Sequence, residues 1–173
     1  MGLSMRRIVL LGSAAAMVAS ASASAHVTLE TREAWVGASY KAVMRVPHGC
    51  EGSPTTAIKI RIPEGVISVK PMPKAGWKLD TVSGKYSKTY SLRGAKVSEG
   101  VTEVHWTGGK LPDAFYDEFL FIGALAEELE AGKTIYFPVV QECEKGVERW
   151  IEIPDGGHEG PAPATGLKLL PKQ

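Results

Sequence analysis

A histidine at position 26 directly follows a stretch of small residues that ends in Ala-Ser-Ala at positions 23–25. If the chain is cut after Ala25, His26 becomes the N-terminal residue and offers two nitrogen donors, its free α-amine and its imidazole. Both donors belong to one residue, so together they chelate a metal ion in a small ring. Cu(II) prefers nitrogen and oxygen ligands in a planar arrangement. The amine has an ordinary pKa of about 7.7–8.0 and must lose its proton to bind, so we expect metal affinity to fall in acid.

The first 25 residues carry the three parts of a secretory signal peptide. Arg6 and Arg7 supply a basic start, residues 8–11 form an apolar run, and residues 23–25 form the small-x-small end. The apolar run is far shorter than the roughly 20 residues that a membrane-spanning helix needs. We therefore expect residues 1–25 to be removed on export to the periplasm. No second hydrophobic segment follows, so we expect the mature protein to have no membrane anchor.

Charge and cysteine content exclude one partner class and predict one covalent link. The formal net charge is +1, with no basic patch, so nucleic acid is not an expected partner. Cys50 and Cys143 predict a disulfide in an oxidising compartment. The bridge would close a loop of about 90 residues and stabilise the fold by about 4–5 kcal/mol in the chain-entropy model. The alternative, a two-thiolate metal site, usually has a shorter spacing between its cysteines.

These residues are expected to be positioned by an all-β fold. Alternation of apolar and polar residues predicts strands at 40–46, 56–62, 101–106, 116–122, 134–140 and 148–153. Glycine- and proline-containing breaks between these runs predict turns. Many short strands separated by turns favour an immunoglobulin-like β-sandwich in a single domain, residues 26–154.

Two segments and three tryptophans carry separate expectations. Residues 124–131 could form a short helix, the one helical segment that the pattern allows. Residues 155–173 are rich in glycine, proline and alanine, so we expect a tail that lies over the surface without repeating structure. Trp35, Trp77 and Trp106 are expected in the core.

Several short motifs occur in order along nearly all of the mature chain, beginning with His-Val-Thr-Leu at 26–29. The further segments are Val-Pro-His-Gly-Cys (46–50), Ile-Pro-Glu-Gly-Val (62–66), Pro-Lys-Ala-Gly-Trp (73–77), Val-His-Trp-Thr-Gly-Gly (104–109), residues 119–121, Phe-Pro-Val-Val-Gln-Glu-Cys (137–143) and Gly-Val-Glu-Arg-Trp (146–150). Together these motifs resemble those of the YcnI-like family (DUF1775).

The resemblance implies a periplasmic or cell-surface protein that binds Cu(II) through a single-histidine brace and serves copper acquisition or handling. A carboxylate and a tryptophan complete the family's site. His26 matches the histidine and Trp150 matches the tryptophan. The carboxylate departs from the family's pattern, because the Val-Pro pair is followed by His48 and then by Glu51. The third ligand is therefore His48 or Glu51, with Glu30 in reserve because strand alternation would place it on the same face as His26.

The predicted disulfide bears on this site. Cys50 lies in the same turn as His48 and Glu51, and Cys143 precedes Trp150, so the bridge would draw the turn toward the tryptophan. In the run 148–153, Trp150 shares one face with two glutamates. We therefore expect Trp150 on a polar face, where its ring can meet a cation with a gain of about 0.5–2 kcal/mol.

Three functions remain open from the sequence. The first is a copper chaperone or acquisition protein without enzymatic activity, which exchanges Cu(II) with other periplasmic chaperones or a copper transporter. The second is a copper-dependent oxidase or oxygenase, in which His48 would supply the second histidine. The third is a metal-free β-sandwich for adhesion or polysaccharide binding, in which blocking the N-terminal amine changes nothing.

Overall fold

The computed structural model describes residues 26–155 and 160–173, so the predicted signal peptide at 1–25 lies outside the described residues. The described residues form twelve strands and no helix. In chain order the strands are β1 (Thr28–Leu29), β2 (Glu33–Trp35), β3 (Ser39–Val46), β4 (Thr55–Arg61), β5 (Val66–Pro71), β6 (Lys78–Leu92), β7 (Ala95–Leu111), β8 (Asp117–Leu125), β9 (Thr134–Phe137), β10 (Val139–Cys143), β11 (Val147–Trp150) and β12 (Thr165–Leu170).

The strands form three sheets around one main core. A four-stranded sheet has the order β1-β3-β8-β5, a five-stranded sheet has the order β11-β10-β4-β7-β6, and a three-stranded sheet has the order β2-β12-β9. Strand neighbours are antiparallel except for the pair β2 and β12. Buried side chains from all three sheets belong to one hydrophobic cluster. The predicted all-β sandwich is confirmed.

Alternation along the central strands builds this core, because successive side chains of a strand point to opposite faces. Tyr40, Ala42 and Met44 of β3 are buried, as are Ile58 and Ile60 of β4. The strands predicted at 40–46 and 56–62 therefore agree with β3 and β4 to within one residue at each end. Aromatic rings fill the space between the sheets, such as the edge-to-face pair Trp106 and Phe119.

The longest hairpin, β6–β7, was missed in part by the sequence pattern. Its two strands contain 15 and 17 residues and turn at Arg93 and Gly94, both with positive φ. Gly108 and Gly109 were predicted to break a strand, yet they lie inside β7. A Cβ on Gly109 would lie 2.1 Å from the Trp77 indole, so this glycine lets the strand pass directly beneath the ring.

The short helix suggested for residues 124–131 is not present. Ala124 and Leu125 end β8, and only one turn follows, in which Leu129 N donates to Ala126 O at 3.1 Å. Eight residues are too few to make an isolated helix stable without an apolar stripe packed on a core. In keeping with this, no helix in the described ranges is long and apolar enough to cross a membrane.

Two further expectations need correction. The surface tail predicted for residues 155–173 is wrong for its described C-terminal part, because β12 pairs with β2 and β9 and buries Leu167 and Leu169 in the core. The alternation at 167–169 is short, and the flanking glycine, proline and alanine masked it. Trp35 is 44 % exposed and so does not lie in the core. Trp106 is fully buried there, and Trp77 is partly buried and packs against the core.

Candidate functional site

His26 lies against the indole of Trp150, with ring centroids 5.0 Å apart and planes tilted by 55°. The residues after His26 explain its position. Val27 and Leu29 are buried in the core and anchor this end of the chain. Thr28 pairs with Arg45 of β3, and continuing that antiparallel register by two residues brings His26 beside the end of β3.

Trp150 ends β11 with its side chain turned inward, which corrects the face predicted from sequence. It is 7 % exposed and belongs to the main core, whereas Ile151 and Ile153 are exposed. The predicted orientation of this run was therefore wrong at Trp150. Glu148 shares the side of Trp150 and is only half-buried, because β11 is the edge strand of its sheet. The strand ends at Trp150, and residues 151–153 are all exposed.

Gln141 of β10 joins Trp150 to the rest of this region. Its side chain is buried, with 1 % of the residue exposed. Gln141 Oε1 accepts a hydrogen bond from Trp150 Nε1 at 3.1 Å. Gln141 Nε2 donates to the His48 carbonyl at 2.7 Å and to Thr55 Oγ1 at 2.8 Å. Sequence reasoning missed Gln141; the available signal was a polar residue in phase with buried Val139, just before Cys143.

The turn at 47–53 is held against β10 by the disulfide between Cys50 and Cys143, which confirms the predicted pairing. The turn is closed by two backbone bonds between Cys50 and Ser53. Glu51 adopts a φ of 48°, the left-handed region that a non-glycine residue enters mainly in tight turns. Asp113 Oδ1 accepts from Gly49 N at 2.9 Å and fixes the turn from the other side.

The three candidates for the third ligand occupy different surroundings. His48 is half-buried, and its Nδ1 bonds to the carbonyl of Gly49. Glu51 is exposed on the turn. Glu30 is engaged by Arg45 at 2.7 Å, and Arg45 also approaches Glu118 at 3.5 Å. Over residues 26–155 and 160–173, no group of three His, Cys, Asp or Glu side chains is placed to hold a metal ion.

The structure therefore brings some of the predicted site residues together and not others. The ring of His26, the ring of Trp150 and the backbone of His48 are linked through direct contact or through Gln141. Glu51 lies exposed on the 47–53 turn, and Glu30 is held by Arg45. The site thus consists of a histidine beside an indole, with a carboxylate on a neighbouring turn.

One cavity adjoins His26, and a second lies away from it. A cavity of about 110 Å³ beside His26 is lined by Arg32, whose charge disfavours a cation there. A larger cavity of about 680 Å³ lies on the outer face of the five-stranded sheet. His105 and Glu103 line it and bond to each other at 2.9 Å. None of its lining residues is a predicted site residue.

The chain is similar to one known protein family and to solved structures. A family model described as "Domain of unknown function (DUF1775)" matches residues 26–169. A solved structure of an uncharacterized protein from Nocardia farcinica, with an immunoglobulin-like fold, is 25 % identical, with a TM-score of 0.61. The alignment covers 84 % of this chain and 98 % of that one. The fold is accordingly an immunoglobulin-like β-sandwich.

A second solved structure is more distant. The sixth cohesin of scaffoldin B from Acetivibrio cellulolyticus, in complex with a Cel5 dockerin mutant, is 12 % identical over 83 % of this chain and 97 % of that chain. Its TM-score of 0.41 is too low to support an argument. No curated protein matched the chain.

Proposed function

This chain belongs to the DUF1775 family, a domain of unknown function, and we propose that it is a periplasmic protein that binds one Cu(II) ion through His26 after cleavage behind Ala25. The observation that carries the proposal is the contact between the His26 and Trp150 rings. The family match begins at residue 26, the residue that the predicted cleavage exposes. The proposed site is therefore at the first residue of the folded domain.

The proposed chemistry rests on two nitrogens from one residue. After cleavage, the α-amine and the imidazole of His26 chelate Cu(II), which favours nitrogen and oxygen donors in a tetragonal arrangement. In the uncut precursor the same nitrogen is an amide and cannot serve as an amine donor. Such a site needs fewer side chains than a conventional one, which is compatible with the described residues offering no cluster of three ligating side chains.

Trp150 supports a cation beside His26 in two ways. Its ring face attracts a nearby positive charge, by about 0.5–2 kcal/mol depending on desolvation. Its indole N–H is already occupied by Gln141, so the ring rather than the N–H group remains to face His26. A nearly buried indole also removes water from one side of the site.

We assign the carboxylate role to Glu51, with His48 as the alternative. Glu30 is less suited because Arg45 already neutralises it. Glu51 is exposed and lies one residue from the disulfide, in a turn fixed at both sides. A carboxylate delivered from this turn would complete a set of two nitrogens and one oxygen.

We further propose that copper is cargo for exchange with other periplasmic copper proteins or a transporter, not a cofactor for turnover. An oxygenase site would need a second histidine ring, and the His48 ring nitrogen Nδ1 is engaged with the carbonyl of Gly49. Oxygen consumption in the presence of a reductant separates the two functions. A copper-dependent rate that is lost in His48→Ala would replace the cargo proposal with an enzymatic one.

The proposal is tested by Cu(II) titration of the processed chain, followed by electron paramagnetic resonance. We expect one tight equivalent with nitrogen hyperfine structure, and His26→Ala to lose it. His105→Ala is the matched control, since His105 lies on the outer face of the five-stranded sheet and should not affect binding. Equal binding by parent and His26→Ala would overturn the proposal.

A further inference from the structure

Gln141 bonds to two separate parts of the proposed copper site. It bonds to the Trp150 indole and to the backbone of His48 in the 47–53 turn. We infer that Gln141 is a positioning residue, which sets the indole and the turn relative to His26 and thereby sets copper affinity. This inference rests on the proposed function, because it concerns the same site.

A glutamine is suited to this position by its inventory of donors and acceptors. A primary amide has one carbonyl acceptor and two N–H donors. Gln141 uses the acceptor for Trp150 Nε1 and the two donors for the His48 carbonyl and Thr55 Oγ1. A buried polar group that lacks a partner costs about 1–3 kcal/mol, and here all three bonds are made. A glutamate would lack both donors, and a methionine would lack all three groups.

The strand that carries Gln141 makes the position rigid. β10 lies between β4 and β11, and Gln141 pairs with Ile58 on one side and Glu148 on the other. Two residues later, Cys143 is bonded to Cys50 of the turn. The disulfide thus holds the turn at Cys50, and Gln141 holds it at His48. Together with the bond from Gly49 N to Asp113, these contacts set the orientation of the turn.

The indole bond acts on the other side of the site. Trp150 is packed in the core, and its Nε1 is the one hydrogen-bond donor of the indole. With Nε1 held by Gln141, the ring plane is set at its tilt of 55° to the His26 ring. The amide is also neutral, so it orients the ring without introducing a charge that would compete for the metal.

The experiment uses the processed full-length chain with Gln141→Met, which keeps the side-chain length and removes all three bonds. Loss of an outer-shell partner typically weakens metal binding by about 10–100-fold, and we expect a loss in this range with an altered copper hyperfine pattern. Thr55→Val is the matched control, because it removes one buried bond of Gln141 but leaves those to Trp150 and His48. We expect its affinity to change less than about threefold, well below the outer-shell range.

A second variant and a metal-free readout keep the test decisive. Gln141→Glu retains an acceptor for Trp150 Nε1 and loses both donors. It should therefore preserve the hydrogen-bonded indole N–H resonance in metal-free NMR spectra and still lower the copper affinity. Gln141→Met should shift that resonance. If Gln141→Met does not fold, the copper affinity of Gln141→Glu is decisive.

The possible failures are distinguishable. A parent protein that does not bind Cu(II) would overturn the proposed function and this inference with it. A parent that binds tightly, with Gln141 variants of equal affinity and an unshifted indole resonance, would overturn only the positioning role.

Discussion

Two polar side chains, Gln141 and Glu64, each tie a separate part of the chain to the sandwich, and they use opposite chemistry. Gln141 is a neutral amide, buried, and bonded to the 47–53 turn and to Trp150. Glu64 is an exposed carboxylate that accepts from Ser87 N at 3.0 Å and from Tyr90 OH at 2.8 Å. The first anchor supports the proposed metal site, and the second fastens the β6–β7 hairpin.

The difference lies in how each anchor responds to pH. Burial raises the pKa of the Glu64 carboxyl, but the hydrogen bonds from Tyr90 and Ser87 outweigh it and leave that pKa below its ordinary value. Burial, followed by the bond to Glu64, raises the pKa of Tyr90 to about 12. Gln141 does not titrate. Gln141 therefore adds no pH dependence of its own to metal binding at the His26 end.

The largest expected effect comes from breaking the covalent support of the neutral anchor. The double variant Cys50→Ser, Cys143→Ser removes a bridge between residues 93 apart in sequence. We expect a loss of about 4–5 kcal/mol in the free energy of unfolding, from the entropy of the opened loop. Urea denaturation of oxidised parent and variant measures it. A loss below about 1 kcal/mol would show that the bridge contributes little to the stability of the fold.

The next effect isolates the bond from Trp150 to Gln141. Trp150→Phe keeps an aromatic ring in the core but leaves Gln141 Oε1 buried without its donor. We expect a loss of about 1–3 kcal/mol. Trp35→Phe is the matched control, since Trp35 is 44 % exposed, and it should change the unfolding free energy by no more than about 0.5 kcal/mol. Equal losses in both variants would contradict the buried-anchor account.

A smaller, pH-dependent effect is expected at the charged anchor. The folded-state pKa of Glu64 lies below its ordinary value of 4.5. Its contribution to the free energy of unfolding is therefore present above that value and is lost as pH falls through the lowered pKa. Glu64→Gln should therefore be less stable than the parent near neutral pH, by less than about 1 kcal/mol because the group is exposed.

Hydrogen exchange of the hairpin amides near neutral pH and in strong acid measures this difference. We expect the gap between parent and Glu64→Gln to close in acid. A gap of the same size at both pH values would assign the effect to packing and not to charge.

The smallest effect concerns the exposed residue that directly follows β11. Ile151 follows Trp150 and is 42 % exposed. Ile151→Ser should change the unfolding free energy by no more than about 0.5 kcal/mol. Chemical denaturation of this variant beside Trp150→Phe compares an exposed residue with its buried neighbour. A larger loss for Ile151→Ser than for Trp150→Phe would restore the orientation predicted from sequence.

Features that depend on a short stretch of sequence or on one pair of residues include those that were predicted correctly. Alternation predicted β3 and β4 to within a residue at each end, and two cysteines in a chain predicted to be exported indicated the bridge between Cys50 and Cys143. The predicted strand at 134–140 is divided at Pro138, which has no N–H for a sheet ladder.

Features that depend on distant partners could not be predicted in the same way. The face of Trp150 depends on which side of β11 meets the core, and period-two alternation alone fits both orientations. The role of Gln141 depends on three partners between 9 and 93 residues away. β12 is a strand because β2 and β9 provide edges for it, although its own flanks are typical of a surface segment.

The most direct test of the central claim compares two chains that differ by one residue. One begins at His26, and the other carries a single glycine before His26, which turns the amine of His26 into an amide while leaving its imidazole and Trp150 in place. Cu(II) affinity is measured for both by competition with a chelator of known affinity. The account predicts tight binding of one equivalent by the first chain and its loss in the second. Equal affinities would contradict it, because the amine of His26 would then take no part in binding.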